Sequence, residues 1–218
     1  MSSAQNIYLL SGLTANEYMF KNLIFPDGFT IKFLPWIQND TNDTLETYAQ
    51  KLIDTYNIKE GQKILGLSFG GIMASEIQKL CPQEKIIIVS SVSHNKQMPP
   101  YYQSHLLFEL FKPFLKGKNT LPDSVLKWPF EPIDYQDFCE VKKNIETSNV
   151  DHLLWVLEQL SLWEHASKHS NLIQIHGSID RIFPPNYVNC DYKIKGGGHL
   201  MLLNKAAQIN PILATVLA

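Results

Sequence analysis

The stretch Lys63-Ile-Leu-Gly66-Leu-Ser68-Phe-Gly70-Gly71 decides how this chain is read. Residues 63–67 form a short, mostly apolar run of strand length, and residues 70–80 read as a helix that ends near Cys81-Pro82. Between them stands Gly66-x-Ser68-x-Gly70. On a tight strand-to-helix turn, side chains two positions either side of the serine would collide, so both positions call for glycine. Such a turn holds the Ser68 hydroxyl out over a sheet, at a helix N-terminus whose dipole favours developing negative charge. At this content of serine and glycine, about 0.04 such motifs are expected by chance, so the match is informative.

Outward from this stretch, short apolar runs alternate with helical ones. Strands are expected at residues 7–10, 30–34, 63–67, 85–89, 172–175 and 192–194. A short helix is expected over 17–23. Asp43-Thr-Leu-Glu46 has capping-box spacing, with Asp43 as the N-cap of a helix running to Tyr56. The run Lys85-Ile-Ile-Ile-Val89 is apolar as a central parallel strand buried on both faces should be. Strand–helix alternation implies crossover connections, hence a parallel sheet with helices on both faces. The fold class is therefore α/β, a three-layer α/β/α sandwich with a mainly parallel sheet of about six strands. Residues 1–94 and 169–218 form its core. Residues 95–168 hold no convincing strand and are rich in large rings; helices are expected there at 104–115, 135–146 and 150–160. A final helix covers 203–217, interrupted near Asn210-Pro211.

Composition narrows the function. At 218 residues the chain can bury a sizeable core without disulfides. Its net charge is −2 and Arg181 is its sole arginine, which argues against nucleic acid as a partner. No apolar run is long enough for a membrane span, and residues 7–10 are too short for a signal sequence, so a cytoplasmic protein is expected. Cys81, Cys139 and Cys190 form no CxxC pair and read as buried free thiols; no metal or organic cofactor is implied.

In parallel α/β sheets, sites form at the carboxyl ends of strands. A serine hydroxyl there needs a base, usually histidine, oriented by a carboxylate. Of seven histidines, His105, His152 and His165 fall in the insertion and His169 at its border, and all four read as surface or packing residues. His199 follows Gly196-Gly-Gly198 just after the last strand and is the expected base. His176 reads as a turn-orienting residue, and His94, after the fourth strand, as a pocket-lining candidate. Asp180, in His176-Gly-Ser-Ile-Asp180-Arg-Ile-Phe-Pro184 after the fifth strand, is the expected carboxylate. Asp191 starts a strand at the opposite end of the sheet. The expected oxyanion donors are the backbone N–H groups of Phe69 and Leu13, with Gly12 beside the substrate.

The order Ser68…Asp180…His199 on such a sheet resembles the α/β-hydrolase superfamily. The resemblance rests on Gly66–Gly71, on the segment 176–184 and on Gly197-Gly-His199, and it spans nearly the whole chain. It implies that the first two strands of that fold are missing here, that the strand order is 2-1-3-4-5-6, and that residues 95–168 are a helical cap. Ser11 departs from the family pattern, which often has histidine before the glycine of its oxyanion loop. The implied activity is that of a serine hydrolase cleaving a small to mid-sized carboxylic ester, thioester or amide through an acyl-enzyme on Ser68. Rivals are acyl transfer, carbon–carbon bond hydrolysis with the same triad, and a non-catalytic ligand-binding role. The ring-rich insertion suggests an apolar pocket, although Leu153, Trp155, Val156 and Leu160 read more simply as docking residues.

Overall fold

The computed structural model describes residues 5–103 and 122–218. Six strands form one parallel sheet in the order β2-β1-β3-β4-β5-β6. They are β1 (Gln5–Leu10), β2 (Phe29–Phe33), β3 (Lys63–Leu67), β4 (Lys85–Val89), β5 (Leu172–Gly177) and β6 (Tyr192–Ile194). This is the order that the resemblance implies. The expected strands match to within one or two residues at each end.

The period of two along each strand sorts the core into two layers. Tyr8, Leu10, Ile64, Ile86 and Ile88 face one side, where they meet helices α1 (Leu45–Tyr56) and α2 (Phe69–Leu80). Ile7, Leu9, Leu65, Leu67, Ile87, Val89 and Ile175 face the other, against Met201, Leu202, Leu203, Ile209 and Leu213. Every residue of β3 is buried, as in a strand covered on both faces.

Four local expectations need correction. Thr44, not Asp43, is the N-cap of α1: Thr44 and Thr47 exchange side-chain-to-backbone bonds. Asp43 sits one residue earlier, where its carboxylate takes Thr47 Oγ1, the Asp40 N–H and Lys51. The segment expected as a helix at 17–23 is a single 3-10 turn, Glu17–Phe20, N-capped by Asn16. The C-terminal helix starts earlier and breaks earlier. Met201–Asn204 is followed, after Lys205, by Ala206–Leu217, and Pro211 lies inside the second piece. The three cysteines are free; Cys81 is buried, but Cys139 is exposed and Cys190 only partly covered, against the expectation of three buried thiols.

Between β4 and β5 lie α3 (Asp123–Lys127), α4 (Tyr135–Thr147) and α5 (Val150–Leu162). The helix expected at 104–115 lies outside the described residues. Side chains, rather than sheet geometry, tie this insertion down. Trp155 donates from its indole to the Asp43 carbonyl (2.8 Å), and Trp163 donates to the buried Glu76 carboxylate (2.8 Å). Trp155, Val156 and Leu160 belong to the core cluster over α1 and α2, so docking is their role. On the opposite layer, buried Asp137 of α4 pairs with Lys21 (2.6 Å) and accepts from Tyr18. No helix among the described residues is long and apolar enough to cross a membrane.

Candidate active site

The turn after β3 is built by the two glycines flanking Ser68. A Cβ on Gly66 would lie 2.3 Å from the Gly70 carbonyl oxygen, and one on Gly70 would lie 2.2 Å from that of Leu10. Neither contact is possible, so the strand, the turn and β1 close together only with glycine at both positions. Ser68 itself takes φ 54° and ψ −121°, a backbone conformation costly for any residue with a side chain. It is held there from both sides. Its N–H donates to Val89 O (2.9 Å), and its carbonyl accepts from Ser91 Oγ (2.7 Å) and from the Gly71 N–H.

Asp180 and His199 arrive from the carboxyl ends of β5 and β6. Ile182 N–H and Phe183 N–H both donate to Asp180 Oδ1, at 2.9 and 3.0 Å. His176, fully buried at the end of β5, donates from Nε2 to the Phe183 carbonyl (2.8 Å) and so closes the same turn. His199 Nδ1 lies 2.9 Å from Asp180 Oδ2, and His199 Nε2 lies 2.8 Å from Ser68 Oγ. Three side chains up to 131 residues apart are thus joined in one hydrogen-bonded chain.

Electrostatics set the direction of that chain. Burial pushes the Asp180 carboxyl up, but the His199 imidazole and the hydrogen bonds to the carboxylate outweigh burial and hold it below the usual carboxylate range. An ionised carboxylate only accepts, so Nδ1 of His199 carries the proton and Nε2 turns its lone pair to the Ser68 hydroxyl. His176 lies 3.7 Å from Asp180 Oδ2, yet burial lowers its pKa and keeps it neutral, so it does not take the carboxylate's charge from His199.

The loop after β1 crosses in front of Ser68. An added Cβ at Gly12 would sit 3.3 Å from Ser68 Cβ. Ser11 Oγ donates to the Ala15 carbonyl (2.7 Å), and the Trp36 indole donates to the Gly12 carbonyl (3.1 Å). Ser11 therefore braces the loop from within where the family pattern often has histidine. Among the described residues, the N–H groups of Leu13 and Phe69 have no hydrogen-bond partner.

His94 is not joined to this group. Its Nδ1 meets Ser93 Oγ (3.0 Å), and its charged neighbours are Lys96 and Lys168. Asp191 pairs with Lys168 and accepts from the Gln174 N–H, at the far end of the sheet. Two residues that position the site escape sequence reasoning. Ser91 could have been found, because it follows β4 at the carboxyl edge; Trp36 carries no local signal, since its reach to Gly12 depends on the fold. No group of three or more His, Cys, Asp or Glu among the described residues is placed to hold a metal ion.

A cavity of about 290 Å³ adjoins the loop after β1, lined by Leu13, Trp36 and Gln38 on one side and by Ser148, Asn149 and His152 on the other. Together with Leu13 and the Trp36 ring, Ile37 and Leu153 also line it. The large rings at 155 and 163 are turned into the core.

No protein-family model matches the chain, and no curated protein matches it. Solved structures do. An esterase from Exiguobacterium antarcticum superposes with a TM-score of 0.75 at 17% identity, over 100% of this chain and 94% of its own. A bromoperoxidase from Bacillus anthracis gives 0.74 at 13%, over 98% and 92%. A hydrolase from Oleispira antarctica gives 0.71 at 14%, over 96% and 89%. Identity this low speaks for architecture and not for substrate. The parallel order β2-β1-β3-β4-β5-β6, the turn at Ser68 and these superpositions together establish that the chain has the α/β-hydrolase fold.

Proposed function

We propose that the protein is a serine hydrolase that cleaves a small to mid-sized carboxylic ester, or a related thioester or amide, through an acyl-enzyme on Ser68. The observation that carries this reading is the 2.8 Å approach of His199 Nε2 to Ser68 Oγ, with Asp180 behind the imidazole. In the first step Ser68 Oγ attacks the carbonyl carbon while His199 Nε2 takes the hydroxyl proton. The N–H groups of Phe69 and Leu13 hold the resulting oxyanion, and the imidazolium is stabilised by Asp180. Collapse expels the leaving alkoxide, thiolate or amine, which receives the proton from His199. Water then attacks the acyl-enzyme with His199 again as base, and the acid departs. Residues 95–168 act in this reading as a cap over the core formed by 1–94 and 169–218, and no cofactor is needed.

Transfer of the acyl group to an alcohol or amine uses the same first half, as does carbon–carbon bond hydrolysis with a carbon leaving group. Product analysis with added alcohol separates transfer from hydrolysis. A non-catalytic ligand-binding role is disfavoured by the complete hydrogen-bonded chain from Asp180 to Ser68. The test is labelling with a fluorophosphonate, followed by peptide mapping. The expected result is a single adduct on Ser68, absent in Ser68→Ala; failure to label at neutral pH would return the ligand-binding reading.

A further inference from the structure

We infer that Trp36 is a positioning residue for the oxyanion hole: its indole N–H fixes the plane of the Gly12–Leu13 peptide, and with it the direction in which the Leu13 N–H is presented to the scissile carbonyl. This rests on the acyl-enzyme reading of Ser68 and adds a residue to the machinery of that site. The juxtaposition behind it is that one side chain touches both segments that supply the proposed donors. Trp36 Nε1–H donates to the Gly12 carbonyl (3.1 Å), and the Trp36 ring lies 5.0 Å from the Phe69 ring, tilted by 46°.

Three features carry the argument. First, a peptide group is planar and trans, so its C=O and its N–H point in opposite directions. The Gly12 carbonyl and the Leu13 N–H belong to one such group. A donor that holds the carbonyl therefore aims the N–H, and the Leu13 N–H has no partner among the described residues. The same loop runs against the nucleophile: a Cβ on Gly12 would lie 3.3 Å from Ser68 Cβ and 3.8 Å from Ser68 Oγ. Second, the loop is strained. The Ala15 N–H also donates to the Gly12 carbonyl (3.1 Å) and closes a turn, but Thr14 inside that turn has φ 60°. A β-branched residue is costly in the left-handed region, so the turn needs holding from outside. Ser11 Oγ holds one end, at the Ala15 carbonyl; Trp36 holds the end that bears the donor. Third, Trp36 is itself anchored. The Tyr56 hydroxyl donates to the Pro35 carbonyl (2.6 Å), and the buried Tyr48 hydroxyl donates to the Ile37 carbonyl (2.7 Å) while accepting from the Ile37 N–H (3.1 Å). The residues on each side of Trp36 are thus tied to α1. Tyr48 packs in turn on Trp155, ring centroids 4.8 Å apart, so the docked insertion backs the same anchor.

The experiment measures kcat and KM for p-nitrophenyl butyrate, and the Ki of 1,1,1-trifluorohexan-2-one, a ketone that forms an oxyanionic hemiketal with a reactive serine. It uses the wild type, Trp36→Phe, and a protein carrying 3-benzothienylalanine at position 36, which keeps both rings and lacks only the N–H. In both variants kcat should fall about 10- to 100-fold, short of the about 10²–10³-fold typical of removing an oxyanion donor outright, because the Ala15 N–H still holds the carbonyl. KM should change by less than about threefold, since the lost interaction belongs to the transition state. Ki should rise in step with the loss of kcat, and the acid limb of the pH profile should stay in place, because His199 and Asp180 are untouched. A role in packing alone would lower the melting temperature and leave kcat and Ki at wild-type values, which overturns the inference. So does a loss of kcat in Trp36→Phe that the benzothienyl variant does not share. Should Trp36→Phe fail to fold, the benzothienyl variant decides by the same criteria. Failure of the catalytic reading shows separately, as the absence of a fluorophosphonate adduct on Ser68 of the wild type, whereas normal labelling with unchanged kinetics in the variants overturns this inference alone.

Discussion

The loops at the carboxyl edge of the sheet and the helical insertion solve the same problem, holding a segment in place, by opposite means. At the edge, backbone packs on backbone. Gly66 meets Gly70, Gly70 meets Leu10, and Gly177 meets Gly197, each so closely that a methyl group would overlap a carbonyl. In the insertion, long side chains reach across to the core: Trp155 to Asp43, Trp163 to Glu76, Asp137 to Lys21. Backbone contact leaves little room for movement, which suits a hydrogen-bonded chain such as Asp180–His199–Ser68. Side-chain contact fixes a layer while leaving its outer surface free to vary.

Substitutions can break this contrast, and the largest effect belongs to chemistry. Ser68→Ala should lower kcat by about 10⁴-fold or more while thermal unfolding stays close to the wild type, because only the hydroxyl is lost. Ester turnover and a melting curve on the same preparation check both halves. Gly70→Ala comes next. Its methyl would sit 2.2 Å from Leu10 O, so the turn must open, at a cost of about 1–3 kcal/mol or more in denaturant unfolding and with loss of activity. Gly61→Ala, where an added Cβ meets nothing within 4 Å but φ is +69°, should destabilise less and leave activity intact. In the insertion, Trp163→Phe keeps the ring but strands the buried Glu76 carboxylate without its indole donor. Unfolding should become easier by about 1–3 kcal/mol, with kcat little changed.

The smallest effect is a matter of pH. Burial, with help from His169 and Lys79, pushes the His165 pKa down to about 4. Its folded value thus lies below the ordinary histidine value of about 6.5. The unfolded chain binds this proton first, so the contribution to stability is complete above about pH 6.5 and is lost as pH falls toward 4. Urea unfolding at pH 7 and pH 5 should show a drop in the wild type that His165→Phe reduces. Asp180 works in the same direction at lower pH: its depressed pKa gives stability present above the usual aspartate range and lost as pH falls through the folded value.

The same contrast explains what could be read from the sequence. Ser68, Asp180 and His199 were legible because glycine marks backbone contact, and backbone contact is local in sequence: Gly66 and Gly70 flank the serine, Gly196–Gly198 precede the histidine. The strand order followed from alternation together with the family resemblance. The insertion was legible only as helices. The docking role of Trp155 is legible from its helical spacing, but its partner at residue 43, more than a hundred positions away, is encoded by no local pattern. The cavity beside the loop after β1 is not legible for the same reason, since Gln38 and Asn149 meet only in the folded chain. Thr44 was displaced as the N-cap by its neighbour Asp43, because both are good N-cap residues and only the backbone angles separate them.

The central claim is that Ser68 becomes covalently acylated during turnover. Mixing the protein with excess p-nitrophenyl acetate, quenching in acid within the first turnover and weighing the intact chain tests it directly. The account predicts a burst of nitrophenol of about one equivalent and a chain heavier by one acetyl group, mapped to Ser68 and missing in Ser68→Ala. Steady turnover with no burst and no acetylated Ser68, or turnover undiminished in Ser68→Ala, would contradict it.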